Sequence, residues 1–212
     1  MLARKTSIKK LNVLLPFLLQ RYYAPLAKEG KVADWKVYFQ DESRFGLMTV
    51  LRWAITRAGV KPVGAYQHRF IYRYCYGLVE PLSGDKFFIT APQVNTLFFE
   101  FLLQEFSQPE PQVYKIIFLD KAGYHRAKQL QVPENIRLVY LPSSNPELNP
   151  IERFWRDMKN KVTFHNFKDE QELEKWITTT INAYSKEQIA SLTGYDYIIN
   201  AVYHAKTTME VY

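Results

Sequence analysis

The chain has 212 residues, of which 47% are hydrophobic and 16% aromatic, and this composition is too apolar for an intrinsically disordered protein. Its length is sufficient for one globular domain with a substantial core, and the sequence contains no internal repeat or low-complexity tract. The 28 Lys and Arg residues exceed the 21 Asp and Glu residues, giving a net charge of +7, which suggests a polyanionic partner such as nucleic acid.

Cysteine content and hydropathy bear on the compartment. The single cysteine, Cys75, cannot form an internal disulfide or a Cys-x-x-Cys metal site, which favours a reducing compartment. Basic residues precede an apolar run at residues 11–19, as in a signal peptide, but Pro16 interrupts the run and no clear cleavage motif follows. No later stretch has the apolar length that a membrane span needs. We therefore expect a cytoplasmic protein without a membrane segment.

The amino-terminal half predicts an arm followed by strands. Residues 1–34 are basic, then apolar, then polar, which indicates an arm or short helix, separate from a main domain at residues 35–212. From Trp35 the chain is rich in aromatic and β-branched residues, which are typical of strands. Four strands are predicted, at residues 36–40, 51–56, 70–79 and 86–90, with turn residues between them. This order favours an antiparallel meander.

Helices and two further strands follow the meander. Asn95 predicts the start of a helix that ends before Pro109, with an apolar face of Leu97, Phe98, Phe101 and Leu102. The apolar runs at 114–119 and 136–141 predict buried strands, and helical spacing predicts helices at about 151–162 and 169–184, with further helix beyond. The predicted fold class is α/β, a ribonuclease H-like fold with a central mixed five-stranded sheet flanked by helices.

Three carboxylates stand where predicted strands end and a predicted helix begins. Asp41 follows the first strand, Asp120 ends the central apolar run, and Glu152 lies in the first turn of the helix after the last strand. Two strand ends and one helix start can converge in space. Phosphodiester chemistry without a covalent enzyme intermediate uses a pair of hard divalent cations, and carboxylates are their natural ligands.

Each carboxylate also has a structural interpretation. Asp41 is a plausible turn former, and Asp120 is a carboxylate at a core edge that needs some compensating partner. Glu152 occupies the capping-box position of a helix with Asn149 as N-cap and Pro150 at the first helical position. The residues alone leave both interpretations open.

Three segments resemble the signature blocks of the DDE transposases, most closely the bacterial insertion-sequence branch of the Tc/mariner superfamily. They are FQDESRFG at 39–46, IIFLDKAGYH at 116–125 and LPSSNPELNPIERFWRDMK at 141–159, and the resemblance covers about residues 36–165. It implies a catalytic domain that cleaves DNA strands and transfers them during transposition. By position in the blocks, Asp41, Asp120 and Glu152 would form the catalytic triad and hold two Mg²⁺ or Mn²⁺ ions.

The resemblance is close but not complete. The 31 residues between Asp120 and Glu152 are a few fewer than is usual for this branch, and Lys121 stands where the family more often has Asn. Candidate DNA contacts are Lys121, His125, Arg153, Arg156 and Lys159, although the cations could equally form a solvated helix face and His125 could be structural.

The resemblance also implies partners. They are the DNA of transposon ends and target, a possible second copy in a homodimer, and a separate helix-turn-helix polypeptide, since about 35 residues precede the catalytic blocks. Two alternative functions stay open. One is a ribonuclease H-like nuclease that cleaves without joining, and the other is a catalytically weak or inactive transposase remnant that binds DNA or a partner.

Overall fold

The computed structural model describes residues 11–49, 57–61, 66–127, 129–142, 148–163 and 165–209. Five strands form one mixed sheet in the order β3-β2-β1-β4-β5: β1 Asp34–Gly46, β2 Tyr72–Val79, β3 Lys86–Ala91, β4 Val113–Leu119 and β5 Ile136–Tyr140. Strands β1, β2 and β3 form an antiparallel meander, whereas β4 is parallel to β1 and β5 is parallel to β4. The predicted mixed five-stranded sheet is confirmed, and the strand predicted at 51–56 lies outside the described residues.

Helices flank the sheet. They are α1 at residues 11–18, α2 Ala24–Lys28, α3 Thr96–Ser107, α4 Ile151–Lys161, α5 Glu170–Ala183, α6 Lys186–Thr193 and α7 Asp196–Met209. A π-helical turn joins α1 to α2, and a 3₁₀ turn, Gly123–Arg126, follows β4. The predicted start of α3 is confirmed, because the Asn95 side chain accepts a 2.9 Å hydrogen bond from the backbone N–H of Phe98. Within the described ranges, no helix has the length and apolar character needed to cross a membrane.

Strand alternation gives the sheet two apolar faces, each with its own core. Phe39 and Phe118 lie on the first face, where helices α4, α5 and α7 pack together with Leu15, Leu18 and Leu19 of the amino-terminal helical segment. Tyr38 and Ile117 lie on the second face, which α3 covers. The residues of 11–19 that were compared with a signal peptide therefore pack against the sheet.

The predicted apolar face of α3 is wrong in part. Leu97 and Phe101 are 76% and 52% exposed, whereas the residues that bury against the sheet are Phe99, Leu102, Leu103 and Phe106. Seven of the twelve residues of α3 are apolar or aromatic, so hydrophobic spacing fits more than one face. The contact with the sheet selects the face, and that contact is not visible in the helix's own sequence.

Strand β1 is longer than predicted. It continues past Gln40 to Gly46, so Asp41 lies within the strand and pairs with Gly77 of β2. The polar residues after Gln40 look like a strand end, but β2 supplies backbone partners for them beyond the end of β4. Asp41 is thus held by a paired backbone and not by a turn.

Candidate active site

The parallel pairing of β1 and β4 brings Asp41 and Asp120 together. Phe39 lies level with Phe118 in this pairing, and the same register continued two residues further sets Asp41 level with Asp120. An advance of two residues returns to the same face of a sheet, so both carboxylates belong to the face of Phe39 and Phe118, which α4 covers. The two strand-borne members of the predicted triad are therefore neighbours.

Helix α4 brings Glu152 to the same place. Asn149, just before the helix, donates a 2.8 Å hydrogen bond from Nδ2 to the backbone oxygen of Gln40, which ties the helix start to the residue before Asp41. The Asn149 side chain accepts a 3.4 Å hydrogen bond from the backbone N–H of Ile151, but among the described residues the Glu152 carboxylate has no hydrogen-bond partner and so returns no bond to the backbone N–H of Asn149. The capping-box interpretation of Glu152 is therefore wrong.

The Asp41 carboxyl group has other carboxyl groups as its charged neighbours. Burial, together with the nearby charges of Glu42, Glu152 and Asp120, raises its pKa to about 8, against a smaller opposing effect of the Glu42 backbone N–H. In the described part of the chain, no Lys or Arg forms an ion pair with Asp41, Asp120 or Glu152. The structure thus collects three carboxylates without the Lys or Arg partners that buried acids usually have.

This donor set fits a hard divalent cation. All three side chains offer carboxylate oxygens, which Mg²⁺ and Mn²⁺ prefer, and a cation would relieve their mutual repulsion. Across the described ranges, no three His, Cys, Asp or Glu side chains already stand in the geometry of a finished metal site. Mg²⁺ usually keeps several waters and shares its coordination with substrate phosphates, so an incomplete protein cage is compatible with it.

Glu42 is a second buried acid at this edge, and the sequence reasoning missed it. Its side chain is 8% exposed and accepts hydrogen bonds from Gln40 Nε2 at 2.7 Å and from the Tyr124 hydroxyl at 2.8 Å. Strand alternation points Glu42 to the face opposite Asp41. The adjacent acids in the segment QDES, combined with that alternation, were the signal that could have found it.

His125 lies between the two groups of acids. Its side chain is 1% exposed, with Nδ1 3.0 Å from Asp120 Oδ1 and Nε2 3.1 Å from Glu42 Oε1. The prediction that His125 contacts DNA directly is therefore wrong in this structure, because burial and carboxylate partners occupy both ring nitrogens. The ring instead connects Glu42 to a member of the triad.

The other predicted DNA contacts have exposed side chains. They are Lys121 beside Asp120 and, on α4, Arg153, Arg156 and Lys159. The Arg153 guanidinium lies 4.3 Å from the centre of the Tyr195 ring, which orients it while leaving it accessible. The remaining three form no ion pair with any described residue, so their charges are free to meet an anion.

Solved structures with the same fold are known. The chain matches the Mos1 transposase in a paired-end complex with the left transposon end at a TM-score of 0.61 and 16% identity, covering 88% of this chain and 58% of that one. It matches the Mos1 strand transfer complex at 0.62 and 14% identity, covering 94% and 61%. It also matches a Mos1 mariner paired-end complex with Mn at 0.59 and 16% identity, covering 94% and 60%. The predicted ribonuclease H-like fold is confirmed, and the chain spans about three fifths of the length of these proteins.

Sequence comparison gives a bacterial relative and a family. An uncharacterized protein y4pE/y4sA of Sinorhizobium fredii (strain NBRC 101917 / NGR234) is 34% identical over 101 residues, which cover 47% of this chain and 75% of the relative. The family model described as DDE superfamily endonuclease matches residues 36–174. Because this match spans more than half of the chain and contains Asp41, Asp120 and Glu152, the protein belongs to the DDE superfamily endonucleases.

Proposed function

We propose that the chain is the catalytic domain of a DNA transposase, which cleaves DNA strands at transposon ends and transfers them to target DNA. The observation that carries this proposal is the convergence of Asp41, Asp120 and Glu152, without a Lys or Arg ion-pair partner among the described residues, at one edge of the sheet. The neighbouring solved structures support it, since Mos1 was captured on transposon ends and in a strand transfer complex.

In this proposal Asp41, Asp120 and Glu152 hold two Mg²⁺ or Mn²⁺ ions, the metals named in the Mos1 paired-end complexes. Bound cations would activate the attacking oxygen, either of water or of a 3′ hydroxyl, and stabilise the leaving oxygen. The chain's own carboxylates repel a phosphodiester when no cation is present, so they couple DNA binding to metal binding. No side chain is needed as a covalent nucleophile.

The exposed cations beside the site supply the DNA contacts of the proposal. Lys121, Arg153, Arg156 and Lys159 would neutralise phosphates on either side of the scissile bond. The proposed division of these residues is an amino-terminal arm or short helix, residues 1–34, and the ribonuclease H-like catalytic domain, residues 35–212. We propose that the domain acts in the cytoplasm, as a homodimer on paired ends.

Plasmid nicking tests the proposed chemistry. The purified chain should nick supercoiled DNA in Mn²⁺ or Mg²⁺, and Asp120→Asn, purified identically, should not. Glu105→Gln is the matched control, because Glu105 is an exposed acid on α3, remote from the triad in sequence and element, and its loss should leave nicking unchanged. Equal nicking by wild type and Asp120→Asn would reject the triad.

A joining assay separates transposition from simple cleavage. A labelled duplex with a free 3′ hydroxyl is incubated with target plasmid, and covalent transfer of the label supports the transposase. Nicking without transfer would favour the nuclease that cleaves without joining. DNA binding without nicking in any metal would favour a transposase remnant.

A further inference from the structure

Outside the triad, a chain of hydrogen bonds runs from Glu42 through His125 to Asp120. We infer that this chain positions Asp120 for cation binding, so that Glu42 and His125 act as positioning residues for the metal site. The inference rests on the proposed function, because it concerns the same site. It adds two residues to the site, neither of which contacts DNA.

The two oxygens of Asp120 have different surroundings. Oδ1 accepts the backbone N–H of Ala122 at 2.9 Å and lies 3.0 Å from His125 Nδ1, whereas Oδ2 has no partner among the described residues. Asp120 follows the last residue of β4 and its side chain is 61% exposed, so packing alone would not fix its rotamer. With a proton on Nδ1, the ring is a second donor to Oδ1 beside the Ala122 N–H, which orients the carboxylate and leaves the other oxygen free for a cation.

The His125 ring is itself held in place. The rings of Phe99 and Tyr124 have centroids 4.4 and 4.3 Å from it, and the Tyr140 hydroxyl donates a 2.6 Å hydrogen bond to the His125 backbone oxygen. These contacts fix both the ring plane and the turn that carries it. Nδ1 therefore cannot move away from Asp120 without repacking α3 against the 3₁₀ turn.

Glu42 forms the other end of this chain of hydrogen bonds, on the Nε2 side of His125. Its Oε1 lies 3.1 Å from His125 Nε2, and Gln40 and Tyr124 donate to its two oxygens. Glu42 faces away from Asp41 and is nearly buried, so it acts through His125 and not as a cation ligand. A carboxylate behind a histidine fixes the orientation of the ring, as outer-shell partners do in metal sites.

Substitutions at position 125 can separate the two hydrogen bonds. The amide nitrogen of Asn can take the place of Nδ1 and keep the bond to Asp120, while that of Gln can take the place of Nε2 and keep the bond to Glu42. His125→Phe keeps a ring between Phe99 and Tyr124 but removes both bonds. His204→Phe is the matched control, because His204 is exposed on α7.

The measurement is Mn²⁺ affinity, from the electron paramagnetic resonance signal of free Mn²⁺, with thermal unfolding recorded for every variant. We expect His125→Phe and His125→Gln to weaken Mn²⁺ binding about 10- to 100-fold, as is usual for lost outer-shell partners, and His125→Asn to weaken it less. Nicking rates should follow the same order. His204→Phe should match the wild type.

The outcomes distinguish this inference from the proposed function. If a folded His125→Phe chain binds Mn²⁺ as tightly as the wild type, the positioning role alone is overturned. Equal losses of Mn²⁺ affinity in the Asn and Gln variants would overturn it as well. A wild type that neither binds Mn²⁺ nor nicks DNA would overturn both. If His125→Phe does not fold, the difference between Asn and Gln at the same position decides the question.

Discussion

The two ends of β1 differ in their charges: the acids near its amino-terminal end are paired with lysines, and within the described ranges the acids at the edge with the predicted triad are not. At the first, Lys36 Nζ lies 2.9 Å from Asp85 and 3.0 Å from Glu110, and Lys186 Nζ lies 2.6 Å from Asp85. At the second, the three acids of the triad have no Lys or Arg ion-pair partner among the described residues. The same strand thus carries a neutralised cluster and an acidic cluster.

The pKa values of the two aspartates reflect this difference. Burial alone would raise the pKa of Asp85, but hydrogen bonds from Lys186 and Lys36 outweigh burial and lower the pKa to about 2. Burial raises the pKa of Asp41 to about 8, and its neighbours are acids. Paired charges stabilise the fold, whereas a buried acid such as Asp41 without a Lys or Arg partner costs stability, which a ligand of opposite charge would offset.

The largest expected effect is on DNA nicking, which should depend on the acids at one end of β1 and not on those at the other. Glu152→Gln should reduce Mn²⁺-dependent nicking by about 10²- to 10³-fold, or about 3–4 kcal/mol in the barrier, because it removes a charged ligand and keeps the side-chain shape. Asp85→Asn should nick at the wild-type rate at a temperature where it is folded. The initial rates on supercoiled plasmid measure both effects.

The same nicking rates can contradict this proposed difference between the two ends of β1. A Glu152→Gln chain that nicks at the wild-type rate would show that Glu152 is only a surface acid at the start of α4. A large loss of nicking in folded Asp85→Asn would show that the neutralised end also takes part in the chemistry. Circular dichroism at the assay temperature establishes that each variant is folded.

The second effect is on stability and belongs to the neutralised end. Asp85→Asn should lower the free energy of unfolding by about 2 kcal/mol at pH 7, because the Asp85 charge is largely buried between two lysines. The folded-state pKa of about 2 lies below the usual aspartate value of 3.8, so this stabilisation is present above pH 4 and is lost as the pH falls towards 2.

Urea unfolding of wild type and Asp85→Asn across this pH range measures the effect. The difference between the two chains should shrink on acidification, while a Glu105→Gln control should stay near the wild type throughout. A stability difference that is constant from pH 7 to pH 2 would mean that Asp85 acts through packing and not through its charge.

Much of the fold and part of the candidate site could be predicted from the sequence, because these features depend on local patterns. Apolar runs of strand length ending at Asp placed Asp41 and Asp120 near strand ends, and helical spacing after Asn149 predicted α4 and its buried face, while the resemblance to the transposase blocks selected Asp41, Asp120 and Glu152 as the predicted triad. The order of strands and helices was enough for the fold class. These features are set by periods of two and 3.6 residues, which one segment reveals by itself.

The missed features depend on contacts between segments. Glu42 is adjacent to Asp41, but its role requires His125 and Tyr124, which lie more than 80 residues later in the chain. Residues 43–46 look like a loop until β2 pairs with them. The buried face of α3 is selected by the sheet it covers. No periodicity within a single segment contains this information.

The third effect measures how much the acidic cluster lowers the free energy of unfolding. Ionisation of Asp41 lowers the free energy of unfolding as the pH rises from the usual aspartate pKa of 3.8 to about 8, because the folded chain holds the proton more tightly than the unfolded chain. Without metal at pH 7, Asp41→Asn should therefore raise the free energy of unfolding by about 1–2 kcal/mol, which corresponds to a rise of roughly 2–8 °C in the unfolding temperature. The gain should vanish near pH 4.

Differential scanning calorimetry with and without Mn²⁺ measures this effect and its reversal. Mn²⁺ should raise the unfolding temperature of the wild type and have little effect on Asp41→Asn, since ligand that binds the folded state alone stabilises it. Asp41→Asn would then be the more stable chain without metal and the less responsive one with it. A metal-free Asp41→Asn chain that is less stable than wild type would remove the evidence for a ligand-compensated cluster.

The smallest effect concerns how DNA approaches the acidic edge. Phosphates can come close to three carboxylates only if cations stand beside them, and Arg156 is exposed on α4, the helix that carries Glu152. Arg156→Ala should lower the slope of log affinity against log salt by about 1, with less than about 1 kcal/mol of affinity lost at moderate salt. Lys175→Ala, an exposed cation on α5, should leave the slope unchanged. Equal slopes for all three chains would place the DNA elsewhere and leave the acids of the triad without a route to a phosphodiester.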